Sequence, residues 1–197
     1  MFRQDEDLQQ RLFANLAGQY MGTNHRRGVT YSWLHTHLAD AFGETSPRSF
    51  LIALRAAARK TRGDAGTPID HHGLREAVQE ASRVRVDELN EDYPWVERAL
   101  KALSGEHVPC PEDTFINSWK ENKTIDEIKS MQDSTRPTTP IELDLAAGQP
   151  EAALIDALET LGVIERRKTI GKINVPDIFR VAAELKRRGG VPPRRQQ

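Results

Sequence analysis

The chain has 197 residues, of which 38% are hydrophobic and 6% aromatic, and its formal net charge is −1. This length suffices for one or two domains whose cores consist mainly of Leu, Ala, Val and Ile. No stretch approaches the roughly 20 apolar residues that cross a bilayer, and the acidic first residues do not fit a secretory signal. We therefore expect a cytoplasmic protein with no membrane partner.

The first half of the chain predicts a helical domain over residues 1–105. Apolar residues recur at helical spacing between Leu8 and Tyr20, and a second helical run extends from Tyr31 to Phe42. Asp70 is placed to cap a long helix, and a further helix begins near Trp95 and ends before Gly105.

The most informative helix start in this domain is Ser46-Pro47-Arg48. The Ser46 hydroxyl is expected to cap free N–H groups, and proline fits the first turn of a helix. The pattern predicts that this helix buries Phe50, Leu51 and Leu54, with Ala57 and Ala58. It also places Arg48 beside the positive end of the helix dipole. That end favours an anion, and the planar guanidinium of Arg48 fits a phosphate. Arg48 is therefore a nucleotide-sensing candidate, and the alternative is a surface arginine on an ordinary bundle helix.

Residues 106–140 are predicted to be a helical connector and linker. Pro109 and Pro111 place Cys110 in a loop, and short helices are expected over 112–120 and 125–131. The stretch from Gln132 to Pro140 is rich in Ser, Thr and Pro, which is typical of a domain linker.

Beyond the linker, residues 141–191 predict a small winged-helix-like α+β module. A helix from Pro150 to Leu161 precedes two β-like runs around a turn at 169–172, and a final helix is expected from Pro176 through Leu185. Residues 192–197 form a basic tail. The fold class is thus mainly α, a helical bundle followed by this module.

The charge is unevenly distributed along the chain. Residues 84–164 carry 7 Lys and Arg against 17 Asp and Glu, whereas residues 165–197 carry 10 against 3. The basic residues of the C-terminal hairpin and helix suggest an alternative partner, the phosphate backbone of nucleic acid. The helix before the hairpin carries acidic residues and no Lys or Arg, which favours protein contacts over DNA. The nucleic-acid-binding candidates are Arg166, Arg167, Lys168, Lys172, Arg187 and Arg188.

No complete catalytic signature is present. The sequence contains neither Walker motif, and its six histidines and one cysteine do not follow a metal-ligand spacing. His107 and Cys110 lack a third group, and Pro111 removes the N–H that follows the thiol. We expect a chain that is not an enzyme by itself and holds no metal or cofactor of its own.

Three segments together resemble the C-terminal region of large bacterial P-loop ATPases of the AAA+ and STAND type. They are Trp33-Leu-His-Thr-His-Leu-Ala-Asp-Ala-Phe-Gly with Ser46-Pro-Arg-Ser-Phe; Arg83-Val-Arg-Val-Asp-Glu-Leu with Asp92-Tyr-Pro-Trp; and Gly171-Lys-Ile-Asn-Val-Pro-Asp-Ile-Phe-Arg with Lys186-Arg-Arg-Gly-Gly-Val. The resemblance implies a helical lid over residues 1–105, followed by a winged-helix-like module. It also implies that Arg48 matches the lid arginine that senses nucleotide phosphates, with Ser46 where related lids often carry Asn or Gly.

Three hypotheses about function follow. The first is a non-catalytic regulatory portion of a P-loop ATPase, which contacts the ATPase core in cis or in trans and a protein partner through the C-terminal module. ATP is then a cofactor only of the joined core. The second is a DNA-binding winged-helix adaptor, and the third is a helical scaffold for oligomerisation.

Overall fold

The structure is a computed structural model that describes residues 5–63, 66–134, 148–167 and 170–189. These residues form nine α-helices, a 3₁₀ turn (His25–Arg27) and four short strands, so the fold is mainly helical, as predicted. No described helix is both long and apolar enough to span a membrane. The helices are α1 (Glu6–Ala17), α2 (Thr30–Leu38), α3 (Pro47–Lys60), α4 (His71–Asp92), α5 (Trp95–Lys101), α6 (Glu112–Glu121), α7 (Thr124–Ser134), α8 (Pro150–Thr160) and α9 (Asp177–Arg180). The strands are β1 (His107–Val108), β2 (Glu165–Arg167), β3 (Lys172–Asn174) and β4 (Lys186–Arg187).

The helix starts follow the sequence signals with one exception. Asp70 caps α4 as predicted, because its Oδ1 accepts a hydrogen bond of 2.6 Å from the N–H of Gly73. Pro47 and Pro150 occupy the first turns of α3 and α8. The prediction that the Ser46 hydroxyl caps α3 was wrong, since its side chain makes no capping hydrogen bond. The fixed φ of Pro47 is therefore the stronger local reason for this helix start.

Helices α3 and α4 pack closely through small residues. Ser49, Ala53, Ala56 and Ala57 are the buried residues of α3. The predicted burial of Leu51 and Ala58 was wrong, since Leu51 is 65% exposed and Ala58 also faces solvent. Small side chains face α4 because the backbones approach so closely that larger ones do not fit.

The two helices approach each other closely at Gly73. A Cβ atom at this position would lie 2.5 Å from the carbonyl oxygen of Ala57, a distance that real Cβ atoms essentially never show. Glycine is therefore required here by the neighbouring backbone, although it lowers the helical propensity of α4.

Helix α2 is shorter than the predicted run from Tyr31 to Phe42. It ends at Leu38, and the Asp40 carboxylate then accepts hydrogen bonds from the N–H groups of Phe42 and Glu44. This turn leaves Phe42 62% exposed, with its ring against the backbone of Gly162. An Asp side chain that accepts hydrogen bonds from the following N–H groups takes the place of helical carbonyl acceptors. This favours a tight turn over continuation of the helix.

The strands form two two-stranded sheets, β1 with β4 and β2 with β3. Strands β2 and β3 form the predicted antiparallel hairpin. Cys110, which was expected in a loop, forms a β-bridge with Ile173 of β3, and β1 pairs in parallel with β4. Cys110 itself lies outside the named strands, and its bridge was not predicted because its partner lies far away in sequence. The domain boundaries at residues 105 and 140 stay a prediction, and this β-structure joins segments from both sides of them.

Two further segments differ from their predictions. Helix α9 ends at Arg180 rather than continuing through Leu185, because the Arg180 guanidinium binds the Leu185 carbonyl oxygen at 2.8 Å and Glu184 adopts a positive φ of 57°. Helix α7 extends to residue 134, three residues into the predicted linker. The rest of the linker, residues 141–147 and the basic tail lie outside the described residues.

Substitution of Gly73 by alanine tests the close packing of α3 against α4. We expect Gly73→Ala to lower the free energy of unfolding by about 2 kcal/mol, because the cost of overpacking against the Ala57 carbonyl exceeds the gain in helical propensity. Gly66→Ala is the control, since nothing lies within 4 Å of a Cβ at that position. Urea denaturation measures both variants, and equal stability of Gly73→Ala and the parent protein would contradict the packing argument.

Candidate functional site

Arg48 lies in the first turn of α3, as the sequence predicted. Its side chain is 70% exposed, and its Nε atom is 3.0 Å from Oε1 of Glu88 on α4. This contact is an ion pair and not a well-aligned hydrogen bond, because Glu88 Oε1 has no hydrogen-bond partner. The other Glu88 oxygen accepts a hydrogen bond from Arg85 at 3.3 Å. The guanidinium is thus tethered on one side by Glu88 and open to solvent on the others.

Arg166 of the hairpin is surrounded by carboxylates. Its Nη1 and Nη2 atoms each lie 2.6 Å from a carboxylate oxygen of α8, on Glu159 and Asp156 respectively. Its Nε atom is 3.5 Å from Glu112 of α6. The acidic residues of the helix before the hairpin therefore bind the hairpin's own arginine. Three carboxylates leave this side chain little positive potential to offer a phosphate.

The other five nucleic-acid-binding candidates fall into three groups. Arg167 and Arg187 are paired with Glu165 and Asp177 at 3.3 and 2.8 Å. Lys172 and Arg188 are exposed, and no described carboxylate pairs with them. Lys168 lies outside the described residues. The structure thus leaves two of the six predicted cations exposed and unpaired within the part of the chain that it describes.

Asp177 is a buried carboxylate that the sequence analysis did not single out. Only 3% of its side chain is exposed, and its Oδ1 accepts hydrogen bonds from Arg180 Nε at 2.6 Å and from Arg187 Nη2 at 2.8 Å. Burial raises the pKa of Asp177, but Arg187 and Arg180 more than offset that effect, so its pKa lies below the ordinary value. The residue pattern gave no direct signal, because Arg187 comes from a separate strand.

His37 of α2 completes this cluster. Its Nε2 atom lies 3.5 Å from Asp177 Oδ2, its Nδ1 atom lies 2.8 Å from the Trp33 carbonyl oxygen, and its ring stacks on the Trp33 indole. His37 is therefore a mostly buried, hydrogen-bonded histidine. Burial lowers the pKa of His37, as do Arg187 and Arg180, and together they outweigh the Trp33 carbonyl and Asp177, which raise it.

The His37–Asp177 cluster stabilises the fold and does not present a reactive group. Both nitrogens of His37 and both oxygens of Asp177 face groups of the protein itself. The cluster joins α2 to α9 and β4, which lie far from α2 in sequence. It is therefore best understood as the contact that fixes the C-terminal part of the chain against the N-terminal helices.

Cys110 is not placed for nucleophilic chemistry. The residue is 3% exposed, and its backbone is held by two hydrogen bonds to Ile173. Burial raises the pKa of its thiol, which disfavours the thiolate that a nucleophile requires. Among the described residues, no three His, Cys, Asp or Glu side chains are arranged to hold a metal ion.

Comparisons of the chain with protein-family models, with curated proteins and with solved structures found no match.

Removal of the Asp177 carboxylate tests its structural role. We expect Asp177→Ala to lower the free energy of unfolding by about 3–5 kcal/mol, because it leaves two partly buried guanidinium groups without their carboxylate. Asp87→Ala on the exposed side of α4 is the matched control, with an expected change of about 0.5 kcal/mol or less. Urea denaturation measures both, and a loss at Asp177 no larger than that at Asp87 would contradict this role.

The lowered pKa of His37 predicts a pH dependence of stability. A histidine that is harder to protonate in the folded state stabilises the fold above its unfolded pKa of about 6.5, and this contribution is lost as the pH falls below that value. We expect the melting temperature to fall between about pH 7.5 and 5.5, and to fall less in His37→Gln. His35→Gln, on the exposed side of the same helix, is the control. An unchanged pH profile in His37→Gln would show that other groups cause the dependence.

Proposed function

We propose that this chain is a non-catalytic regulatory portion of a bacterial P-loop ATPase. In this proposal Arg48 contacts the phosphates of a nucleotide held by the ATPase core, in cis or in trans. The C-terminal module then transmits the nucleotide state to a protein partner. ATP belongs to the core, and the proposed place of action is the cytoplasm.

The proposal rests on two contacts of α4, one with Arg48 and one with the C-terminal part of the chain. Glu88 of α4 pairs with Arg48, and the Ser82 hydroxyl, on the same helix nearer its N-terminus, accepts a hydrogen bond of 2.8 Å from the N–H of Ala182. A nucleotide phosphate that binds Arg48 competes with Glu88. Binding of the phosphate therefore changes the charge balance on α4, the helix that also packs against α9.

The proposed winged-helix-like module is supported by the order of its elements. The hairpin β2–β3 follows α8 directly, and a third extended segment, which contains Cys110, pairs with β3. In a winged helix a strand from an earlier part of the domain likewise pairs with the hairpin. Here that segment lies before the predicted linker, so the proposed module includes residues near 107–110 as well as the predicted range 141–191.

The carboxylate partners of the hairpin favour this proposal over a DNA-binding adaptor. Arg166 is bound by Asp156, Glu159 and Glu112, and Arg187 is directed to the buried Asp177. A phosphate backbone would have to displace these carboxylates before it reached either guanidinium. Lys172 and Arg188 by themselves give a much smaller electrostatic attraction for nucleic acid.

The experiment begins with the DNA upstream of the Met1 codon and with neighbouring genes, which are searched for a Walker A and a Walker B motif. ATP turnover is then measured with the encoded core and this chain together. We expect Arg48→Ala to lower nucleotide-dependent turnover by about tenfold or more, because a cation aimed at developing phosphate charge is lost. Arg55→Ala, at another exposed arginine of α3, is the control and is expected to leave turnover unchanged within about twofold.

Equal turnover of the parent protein and Arg48→Ala, with both folded, would overturn the proposal. A circular dichroism melt establishes folding, and the exposure of both arginines makes a large change in stability unexpected. A steep salt dependence of binding to a DNA duplex would instead support the adaptor hypothesis.

A further inference from the structure

The connection between α1 and α2 carries exposed positive charge that the nucleotide proposal does not use. We call residues 22–28 the basic turn. Its 3₁₀ segment is His25–Arg27, and all three of these side chains are exposed. None of the ion pairs among the described residues involves Arg26 or Arg27. Both guanidinium groups are therefore open to a ligand.

The chain on either side of the basic turn contains no carboxylate over more than thirty residues. No Asp or Glu occurs between Asp7 and Asp40. Asp7 lies in the first turn of α1 and Asp40 follows the end of α2, so each is separated from the basic turn by about 12–15 Å of helix. Arg48 and Arg166, by contrast, are each paired with a carboxylate of another helix. The basic turn thus keeps the positive charge that these two arginines lose.

Hydrogen bonds within the turn fix its backbone. Asn24 Oδ1 accepts a hydrogen bond of 3.1 Å from the N–H of Arg26, and the N–H of Gly28 donates to the His25 carbonyl oxygen at 3.1 Å. At the base of the turn, the N–H of Met21 donates to the Gly28 carbonyl oxygen at 2.8 Å. A ligand does not have to order this backbone, which lowers the entropic cost of binding.

The positions of the two arginines indicate how many anions they can reach. A 3₁₀ segment has three residues per turn, so consecutive side chains leave its axis about 120° apart. The stem of Arg27 lies over Gly22, where an added Cβ would come within 3.3 Å of Arg27 Cγ. Arg26 therefore points elsewhere, and the pair fits two separate anionic groups better than a single one.

The composition of the turn favours phosphates as those anionic groups. Residues 22–28 contain no apolar side chain, so a folded protein partner gains no apolar contact there. A chain of phosphates needs no apolar contact, because charge neutralisation supplies most of its affinity. The guanidinium fork also matches the oxygens of a phosphate.

We propose that the basic turn binds the phosphate backbone of a single-stranded nucleic acid. Successive phosphates of a flexible strand can follow two side chains that diverge, whereas a duplex holds its phosphates in a fixed array. Two phosphate contacts predict that the logarithm of the binding constant falls with the logarithm of salt concentration with a slope of about −1.4. This inference goes beyond the nucleotide proposal and depends neither on Arg48 nor on the hairpin.

The test measures binding of the full chain to a fluorescently labelled oligothymidylate by anisotropy, across a series of salt concentrations. We expect Arg26→Ala with Arg27→Ala to weaken binding about tenfold or more at low salt and to bring the salt slope close to zero. The control is Arg75→Ala with Arg83→Ala, which removes the same charge from exposed positions of α4. It is expected to leave binding within about twofold. Circular dichroism melts establish that every variant is folded.

Four results would overturn the inference. The first is no measurable binding of the parent chain at the lowest salt concentration. The second is an equal loss in the two double variants, which would indicate attraction by net charge alone. The third is a loss in Lys172→Ala with Arg188→Ala but none in the turn variant, which would place the contact on the hairpin side. The fourth is equally tight binding of polyglutamate, which would show that any acidic chain is accepted.

Discussion

The buried carboxylate of Asp177 is the interaction on which the arrangement of the two ends of the chain depends. A carboxylate that is 3% exposed requires partners that repay its lost hydration, and here these are Arg180, Arg187 and His37. The three partners come from α9, β4 and α2. Arg180 and Arg187 supply the compensating positive charge, and His37 lies 3.5 Å from the other carboxylate oxygen, so these three elements meet at one buried charge.

Helix α4 contacts several other parts of the structure along its length. At one end Gly73 allows the backbone of α3 to approach closely, and further along Ser82 binds the chain just beyond α9. The same helix carries Glu88, which holds the exposed Arg48. A single helix therefore contacts the proposed phosphate-binding residue, α3 and the C-terminal segment. The small residues of α3 and the buried faces of α4 make this possible, because they leave little freedom for the helices to slide.

Local signals allowed several helix starts and the hairpin to be predicted, since caps and prolines act within one turn. Asp70 and Pro150 are examples, and the position of Arg48 follows from Pro47 in the same way. The burial of α3 was less accurately predicted, because hydrophobicity favoured Leu51 whereas close helix packing selected alanine. The β-bridge of Cys110 could not be predicted from its neighbours, since its partner is Ile173. For the candidate site, sequence indicated that the hairpin is basic, but only folding shows which carboxylates neutralise Arg166.

The parallel pairing of β1 with β4 has a consequence for the order of events during synthesis. Strand β4 supplies Arg187 to the buried carboxylate, and it is the last described element of the chain. On the ribosome, Asp177 leaves the exit tunnel before Arg187 does. The N-terminal helices have been synthesised by then, but β1 has no β4 to pair with. The Asp177 carboxylate also still lacks Arg187, one of its two arginine partners. Vectorial synthesis thus delays the final closure of the fold until β4 emerges.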